Sequence, residues 1–194
     1  MYLFFDTETA GKALNFNAPP TDLNNWPRIT QLGWQLYDKD ENLVNEKNYL
    51  MIPDGWEIPK EDFFIENNMS TERCVEFGIP LKDAVMEFMR DLEQSEYLIA
   101  HNMQFDSNVL SAELIRLGIV PSKKVEKLCT MKESTNYCQL PAKWGNSYKW
   151  PSLTELHAKL FNAGFDGAHD ALEDVKVCAK SFFELKKRNV ILKS

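Results

Sequence analysis

Two carboxylates, Asp6 and Glu8, follow an uninterrupted apolar run over residues 1–5, which has the pattern of a strand buried on both faces. Because side chains alternate across a strand, Asp6 and Glu8 leave by the same face and Thr7 by the other. Burial and mutual repulsion both oppose ionisation of such a pair unless a cation lies between them. The spacing therefore indicates a divalent metal ion. The alternative is that Glu8 has left the strand and both acids are solvated in a loop.

Two further acids, Asp106 and Asp174, lie in the first turns of predicted helices. Ligand sites of open α/β sheets gather where strands end and helices begin, so these acids could converge with Asp6 and Glu8. Four carboxylates without clustered Cys or His are typical of a hard-cation site, for Mg²⁺ or Mn²⁺ rather than zinc. Two such ions about 3.5–4 Å apart would clamp both oxygens of an in-line phosphoryl displacement.

His169 is the candidate general base. The spacing of Asp170 and Glu173 predicts that Asp170 caps the last helix, so His169 would lie just outside the helix and could turn toward Asp174. An imidazole that titrates near neutral pH can accept the proton of an attacking water. The alternative is that His169 only packs a loop or caps a helix.

The hydrophobic pattern predicts the elements that position these residues. Strands are predicted over residues 1–5, 29–38, 43–52, 97–100 and 125–129, and helices over residues 70–77, 80–92, 105–117, 152–161 and 170–188. The first three strands are joined by short connections, which indicates a meander with the first strand at its centre. Strands followed by alternating strands and helices imply an α/β fold, a mixed sheet flanked by helices.

Loops and the remaining histidines give weaker signals. Residues 10–26 read as a loop, residues 164–167 break the chain, and residues 136–151 read as an irregular loop near any site. In that last loop Tyr148 and Trp150 are expected to serve structural packing, with stacking of a base as the alternative. His157 lies inside an amphipathic helix and is interpreted as structural, and His101 is expected to orient neighbouring backbone.

Composition bounds the class of protein. A chain of 194 residues that is 44% hydrophobic fits a single domain over residues 1–194. Its net charge of -7 argues against coating long duplex, but not against binding a short single-stranded end. No apolar stretch has the length of a membrane span, and the four cysteines are scattered. We expect an intracellular, cytoplasmic protein with reduced thiols and no membrane partner.

Three short motifs carry a family resemblance. They are Asp6-Thr7-Glu8-Thr9, then His101-Asn102 with Phe105-Asp106, then His169-Asp170-Ala171 with Asp174. In this order they resemble the exonuclease motifs of the DEDDh family, which includes the proofreading epsilon subunit of bacterial DNA polymerase III, ribonuclease T and oligoribonuclease. The resemblance covers nearly the whole chain. It implies a ribonuclease-H-like sheet and removal of nucleotides from a 3′ end.

The resemblance also implies roles by position. Two divalent ions, Mg²⁺ or Mn²⁺, would be bound by Asp6, Glu8, Asp106 and Asp174. His169 would deprotonate the attacking water. Thr9, with the backbone of Ala10 and Gly11, would lie against the terminal nucleotide, and Asn102 would support that pocket.

One departure from the family affects substrate choice. Proofreading relatives often carry His-Gly-Ile-Thr before a helix, where this chain has residues 67–70, so Asn67 would replace a histidine that contacts substrate. The implied activity is a 3′→5′ exonuclease acting on single-stranded or frayed DNA ends. The alternatives are an exoribonuclease that trims short RNAs and a non-catalytic nucleic-acid-binding module. The sequence leaves open whether the chain acts alone, as a homodimer or with a DNA polymerase.

Overall fold

A five-stranded mixed sheet lies at the centre of the chain, whose computed structural model describes residues 1–145, 147–165 and 169–191. The strands are β1 (Tyr2–Thr9), β2 (Ile29–Tyr37), β3 (Leu43–Leu50), β4 (Tyr97–Ala100) and β5 (Glu126–Cys129). They are ordered β3-β2-β1-β4-β5, with antiparallel pairs along the meander and parallel pairs between β1, β4 and β5. This confirms the predicted mixed sheet with β1 at its centre.

Eight helices connect and cover the described sheet. They are α1 (Asp62–Glu66), α2 (Thr71–Phe77), α3 (Leu81–Gln94), α4 (Met103–Arg116), α5 (Thr130–Glu133), α6 (Thr135–Cys138), α7 (Leu153–Phe161) and α8 (Ala171–Lys187). The predicted caps are present, since Ser152 forms a capping box with Glu155, and Asp170 accepts from the first turn of α8. None of these described helices is long and apolar enough to span a bilayer.

Alternation along β1 divides the core into two layers. Leu3 and Phe5 pack with α3 and α4, whereas Tyr2 and Phe4 pack with α7 and α8. The period-2 geometry of a strand carries this division on to the end of β1. Asp6 and Glu8 therefore belong to the α8 side of the sheet.

Gly33 on β2 allows α8 to begin directly against the sheet. A Cβ at this position would lie 2.7 Å from the carbonyl carbon of Ala171, a clash with backbone that cannot move aside. Gly33 is also the cross-strand partner of Asp6. The missing side chain therefore lets the first turn of α8 approach the acidic part of β1.

The first strand is longer than the sequence predicts. The acids were expected after the strand, but β1 pairs with β2 as far as Thr9, which keeps Asp6 and Glu8 within it. On its other side β1 pairs with β4 only from Tyr2 to Phe4. The acidic half of β1 thus has a sheet neighbour on one side only, which leaves space beside it at the carboxyl end of β4.

Other differences concern short elements and loops. The one-turn helices α1, α5 and α6 were not predicted, because so few residues carry no helical period. The prediction that residues 136–151 are irregular throughout was wrong, since α6 reaches Cys138 and a bridge joins Pro141 to Tyr148. Residue 146 of that loop, and residues 166 and 167 of the predicted break, lie outside the described residues. A single domain over residues 1–194 stays a prediction. All four cysteines are free.

Candidate active site

Three carboxylates meet where β1 passes under the start of α8. One oxygen each from Asp6, Glu8 and Asp174 lies within 4.8 Å of the others. We call this group the acidic triad. Asp170 fixes the helix start, because it accepts from Leu172 N–H at 3.1 Å and from Gln31 Nε2 of β2 at 2.8 Å. The cap therefore ties the turn that carries Asp174 to the sheet that carries the other two acids.

Asp106 lies beside the acidic triad and is not a member of it. Its side chain is only 3% exposed, and its Oδ1 accepts from the Thr7 hydroxyl at 2.8 Å and the Thr7 N–H at 3.2 Å. Thr7 lies between Asp6 and Glu8 in β1, so these two bonds hold Asp106 beside the strand at the level of the acidic triad. Asp106 is nevertheless the strongest charged influence on the pKa of Asp6.

The acids hold their protons unusually tightly. Burial, together with the charges of Asp106, Glu8 and Asp174, raises the pKa of Asp6 well above its ordinary value. Burial and the charge of Asp174 raise the pKa of Glu8 to about 7. Burial raises the pKa of Asp174 to about 6, against the lowering effect of the His169 N–H. Removing water and adding like charge both disfavour the ionised form.

The acidic triad has the donor chemistry of a hard divalent cation. All of its donors are carboxylate oxygens on two rigid elements, and no cysteine or histidine belongs to it within the described ranges. A bound cation would offset the repulsion that raises the pKa values of these acids. The residues present therefore fit Mg²⁺ or Mn²⁺.

His169 borders the acidic triad. Its backbone lies in the left-handed region, at φ 73°, and its N–H donates to Asp174 Oδ2 at 3.2 Å. Its exposed imidazole meets the ring of Phe63 edge-on, with 5.3 Å between ring centroids. A left-handed backbone is costly for a residue with a side chain, so this placement is maintained by its surroundings.

A narrow cleft runs from the acidic triad to α1. Its lining includes Glu8, Thr9, Phe63, Asn67 and His169. Phe63, 46% exposed, was missed by the sequence reading, although two adjacent phenylalanines in a polar stretch were a signal. The cleft therefore brings a carboxylate, an imidazole, an amide, two hydroxyls and two phenylalanine rings together in a single surface.

The predicted substrate residues divide into two groups. Thr9 and Asn67 line the cleft, with Thr9 Oγ1 donating to Gly11 O at 2.7 Å and Asn67 Nδ2 to Phe63 O at 2.7 Å. Ala10 and Asn102 are not among its lining residues. The Ala10 N–H donates to Arg28 O at 2.9 Å, and Asn102 caps α4 with a left-handed backbone, at φ 72°.

The other two histidines are structural, as the sequence indicated. His157 is buried, and its Nδ1 lies 2.9 Å from Ala163 O. Burial lowers the pKa of His101 to about 4, so its ring is neutral. Because the Pro151 carbonyl, 3.0 Å from Nε2, can only accept, Nε2 carries the hydrogen and Nδ1 accepts from the Thr130 hydroxyl at 2.9 Å. His101 thus fastens the end of the loop before α7 to the end of β4.

Comparison with known proteins identifies the family. The exonuclease model of the ribonuclease T type matches residues 3–182. The chain belongs to this exonuclease family. The match confirms the resemblance to DEDDh exonucleases that the three motifs indicated. No curated protein matches the chain at a significant level.

Solved structures of similar fold are exonucleases. E. coli Exonuclease I in complex with a dT13 oligonucleotide superimposes with a TM-score of 0.72 at 17% identity, covering 97% of this chain and 41% of that one. A further Exonuclease I structure gives a TM-score of 0.74 at 17% identity, with 97% and 42% coverage. A moderately thermophilic Exonuclease I from Methylocaldum szegediense gives 0.71 at 19%, with 96% and 40% coverage. At these identities the likeness confirms the ribonuclease-H-like fold. The chain spans about two fifths of the length of these relatives.

Proposed function

We propose that this exonuclease hydrolyses single-stranded or frayed 3′ ends of DNA in the 3′→5′ direction and depends on divalent metal ions. The observation that carries the proposal is the acidic triad beside the cleft, in a chain of the exonuclease family. DNA is favoured because a structure of similar fold, E. coli Exonuclease I, was solved with a dT13 oligonucleotide.

The metal ions would be held by the four acids of the site. Two ions, Mg²⁺ or Mn²⁺, are assigned to Asp6, Glu8, Asp106 and Asp174. When bound, they supply a water of lowered pKa and stabilise charge on the attacking and leaving oxygens of the phosphodiester. Thr7 keeps the Asp106 carboxylate in one orientation through its two hydrogen bonds, so this acid needs no reorganisation when it acts.

His169 would handle the proton of the attacking water. Its exposed imidazole accepts that proton as the water oxygen bonds to phosphorus and the bond to the 3′ oxygen breaks. The departing 3′ oxygen takes up a proton, which gives a shortened strand and a nucleoside 5′-monophosphate. The His169 N–H to Asp174 holds the base next to the acids.

The terminal nucleotide would lie against the residues that line the cleft. Thr9 and Asn67 offer hydrogen bonds and Phe63 offers an aromatic edge, all next to Glu8 and His169. Asn102 and the backbone of residues 10 and 11 would support its rim. The substitution of Asn67 for the histidine of proofreading relatives retains a hydrogen-bonding group and removes a titratable one.

The test compares matched DNA and RNA oligonucleotides, labelled at the 5′ or the 3′ end, with Mg²⁺, Mn²⁺ or EDTA. The expected result is a ladder of shortened 5′-labelled DNA and release of labelled mononucleotide from 3′-labelled DNA, both abolished by EDTA and by D6A. Activity of D6A equal to the parent would overturn the proposal. Degradation of RNA alone would reassign the substrate to RNA, and binding without hydrolysis would identify a non-catalytic binding module.

A further inference from the structure

A group of basic and aromatic side chains lies outside the candidate active site. We call it the lysine–aromatic patch, and its members are Lys132, Lys143, Trp144, Tyr148 and Trp150. All five are exposed, and the rings of Trp144, Trp150 and Tyr148 are 81%, 57% and 43% exposed. About half of Tyr148 and of Trp150 is therefore left uncovered by packing within the loop. Three exposed aromatic side chains within residues 144–150, two of them beside lysines, indicate a surface for a partner.

The charge of the patch is opposite to that of the chain as a whole. Lys132 lies over the Trp150 ring at 5.5 Å and Lys143 over the Trp144 ring at 5.9 Å. Neither lysine forms an ion pair with any described residue, whereas the nearby Lys149 is neutralised by Glu155. The chain as a whole has a net charge of -7. The two lysines beside the two indole rings therefore form a locally positive region on an acidic protein. This pairing favours a partner that is anionic and has planar groups.

The patch lies at the same edge of the sheet as the acidic triad. The parallel strands β1, β4 and β5 all end at this edge, and Lys132 is in α5, directly after β5. Two strand spacings separate β1 from β5, or roughly 10 Å. His101 bonds the carbonyl of Pro151, next to Trp150, and is itself next to Asn102 at the start of α4. His101 thus ties this end of the patch to the end of β4.

We propose that the lysine–aromatic patch binds the single strand that leads away from the cleft, with bases stacked on the indoles and phosphates against the lysines. The proposal rests on the function proposed above and extends it from the terminal nucleotide to the strand behind it. Single-stranded nucleic acid fits because its bases are free to stack, while in a duplex they are already stacked on one another. An acidic protein would satisfy the lysines but not the exposed ring faces.

Binding is measured first, by fluorescence anisotropy of a labelled 20-nucleotide oligo-dT in EDTA. Loss of a stacking ring weakens single-strand binding by about fivefold or more, so W150A raises Kd by that factor. K143E lowers the magnitude of the slope of log affinity against log salt by about 0.7, the value for one phosphate contact to a single strand. W150F keeps a ring and restores most of the affinity. It also separates lost stacking from damaged folding.

Matched controls lie elsewhere on the chain. F77A removes an exposed ring, 66% exposed, from α2, and K39E reverses a lysine in the turn between β2 and β3, at the opposite edge of the sheet. Both controls keep the parent Kd and salt slope. Equal Kd for W150A, K143E and the parent would overturn the proposal. So would equal losses in patch and control variants, or equal affinity of the parent for duplex of the same length.

Measurements of hydrolysis distinguish a wrong proposal for the lysine–aromatic patch from a wrong proposal for the exonuclease activity. The p-nitrophenyl ester of thymidine 5′-monophosphate reaches only the cleft, whereas a 20-mer also reaches the patch. The expected result is a fall of at least fivefold in the ratio of 20-mer to ester kcat/KM for W150A, with unchanged ratios for F77A and K39E. Unchanged ratios in every variant would overturn the patch and leave the exonuclease proposal standing. A parent inactive on both substrates would overturn the proposed function, and the anisotropy result would still decide the patch.

Discussion

The buried carboxylate of Glu113 in α4 and the partly buried carboxylates of the acidic triad differ in what surrounds them. Glu113 is completely buried, yet its Oε1 accepts from Arg28 Nε at 2.8 Å and from the Ile29 N–H at 3.2 Å. Arg116 lies 3.2 Å from the same oxygen. Cations and a backbone donor therefore compensate this charge, which ties α4 to the start of β2.

The acidic triad has no such compensation. No ion pair in the described part of the chain involves Asp6, Glu8 or Asp174, and the charges of neighbouring acids, Asp106 among them, raise the pKa of Asp6 and Glu8. A buried acid whose charge is compensated by nearby cations contributes to the structure. Acids that repel one another without such compensation are typical of a site that binds a ligand. The comparison predicts opposite behaviour when each set is neutralised.

D174N should produce the largest effect. It keeps the shape of the side chain and removes one oxygen donor from the site, so hydrolysis of single-stranded DNA in Mg²⁺ should fall by about a thousandfold or more. The free energy of unfolding in EDTA at neutral pH should stay the same or rise, since one like charge is removed. Steady-state kinetics and urea denaturation measure the two quantities. A D174N variant as active as the parent would contradict the proposed role of the acidic triad in catalysis.

E113Q should show the reverse pattern. Neutralising this carboxylate leaves Arg28 and Arg116 facing a neutral amide, and disrupting a buried pair costs about 3–5 kcal/mol. Urea denaturation should show that loss of stability. At low temperature, where the variant is folded, its kcat should stay within about tenfold of the parent value. Destabilisation no greater than that of D174N would contradict the structural role of Glu113.

H169N tests whether the imidazole moves the proton. Loss of a general base costs about 10²–10⁴-fold, so kcat should fall by about a hundredfold or more. The parent rate should also fall at acid pH, because a protonated ring cannot accept the proton of the water. In H169N that limb should disappear. A parent profile flat from pH 5.5 to 7.5, with chemistry rate-limiting, would exclude the assignment.

The smallest expected effect is on stability as a function of pH and metal. Glu8 and Asp174 have folded pKa values of about 7 and about 6, above their ordinary values. The metal-free folded chain therefore binds more protons than the unfolded chain between about pH 4 and 7, so these groups lower its stability as pH rises through that window. D174N should lose less stability over the same window.

A bound metal ion should restore the stability that the metal-free chain loses toward neutral pH. Free Mg²⁺ or Mn²⁺ at about ten times its Kd stabilises the folded chain by about 1.4 kcal/mol, or about 4 °C in Tm for a chain of this size. Differential scanning fluorimetry at pH 5 and pH 8, with EDTA or metal, measures the shifts. A Tm gain larger at pH 5 than at pH 8 would have the wrong sign, because protons compete with metal for the same oxygens.

Local patterns determined much of the site from the sequence alone. Period-2 alternation placed Asp6 and Glu8 on one face of β1, and the spacing of Asp170 and Glu173 placed the start of α8 and left His169 outside it. Both depend on neighbours a few residues away, which the sequence displays directly. The three motifs then indicated the family that the comparison confirmed. The ligand roles of Asp6, Glu8, Asp106 and Asp174 stay predictions.

Tertiary structure alone decided how distant segments meet. The length of β1 is set by its pairing with β2, the approach of α8 by the missing Cβ of Gly33, and the orientation of Asp106 by Thr7. The part played by Phe63 depends on a one-turn helix that no periodicity reveals. These features arise from contacts between residues far apart in the chain, whose energies have no signature in local spacing.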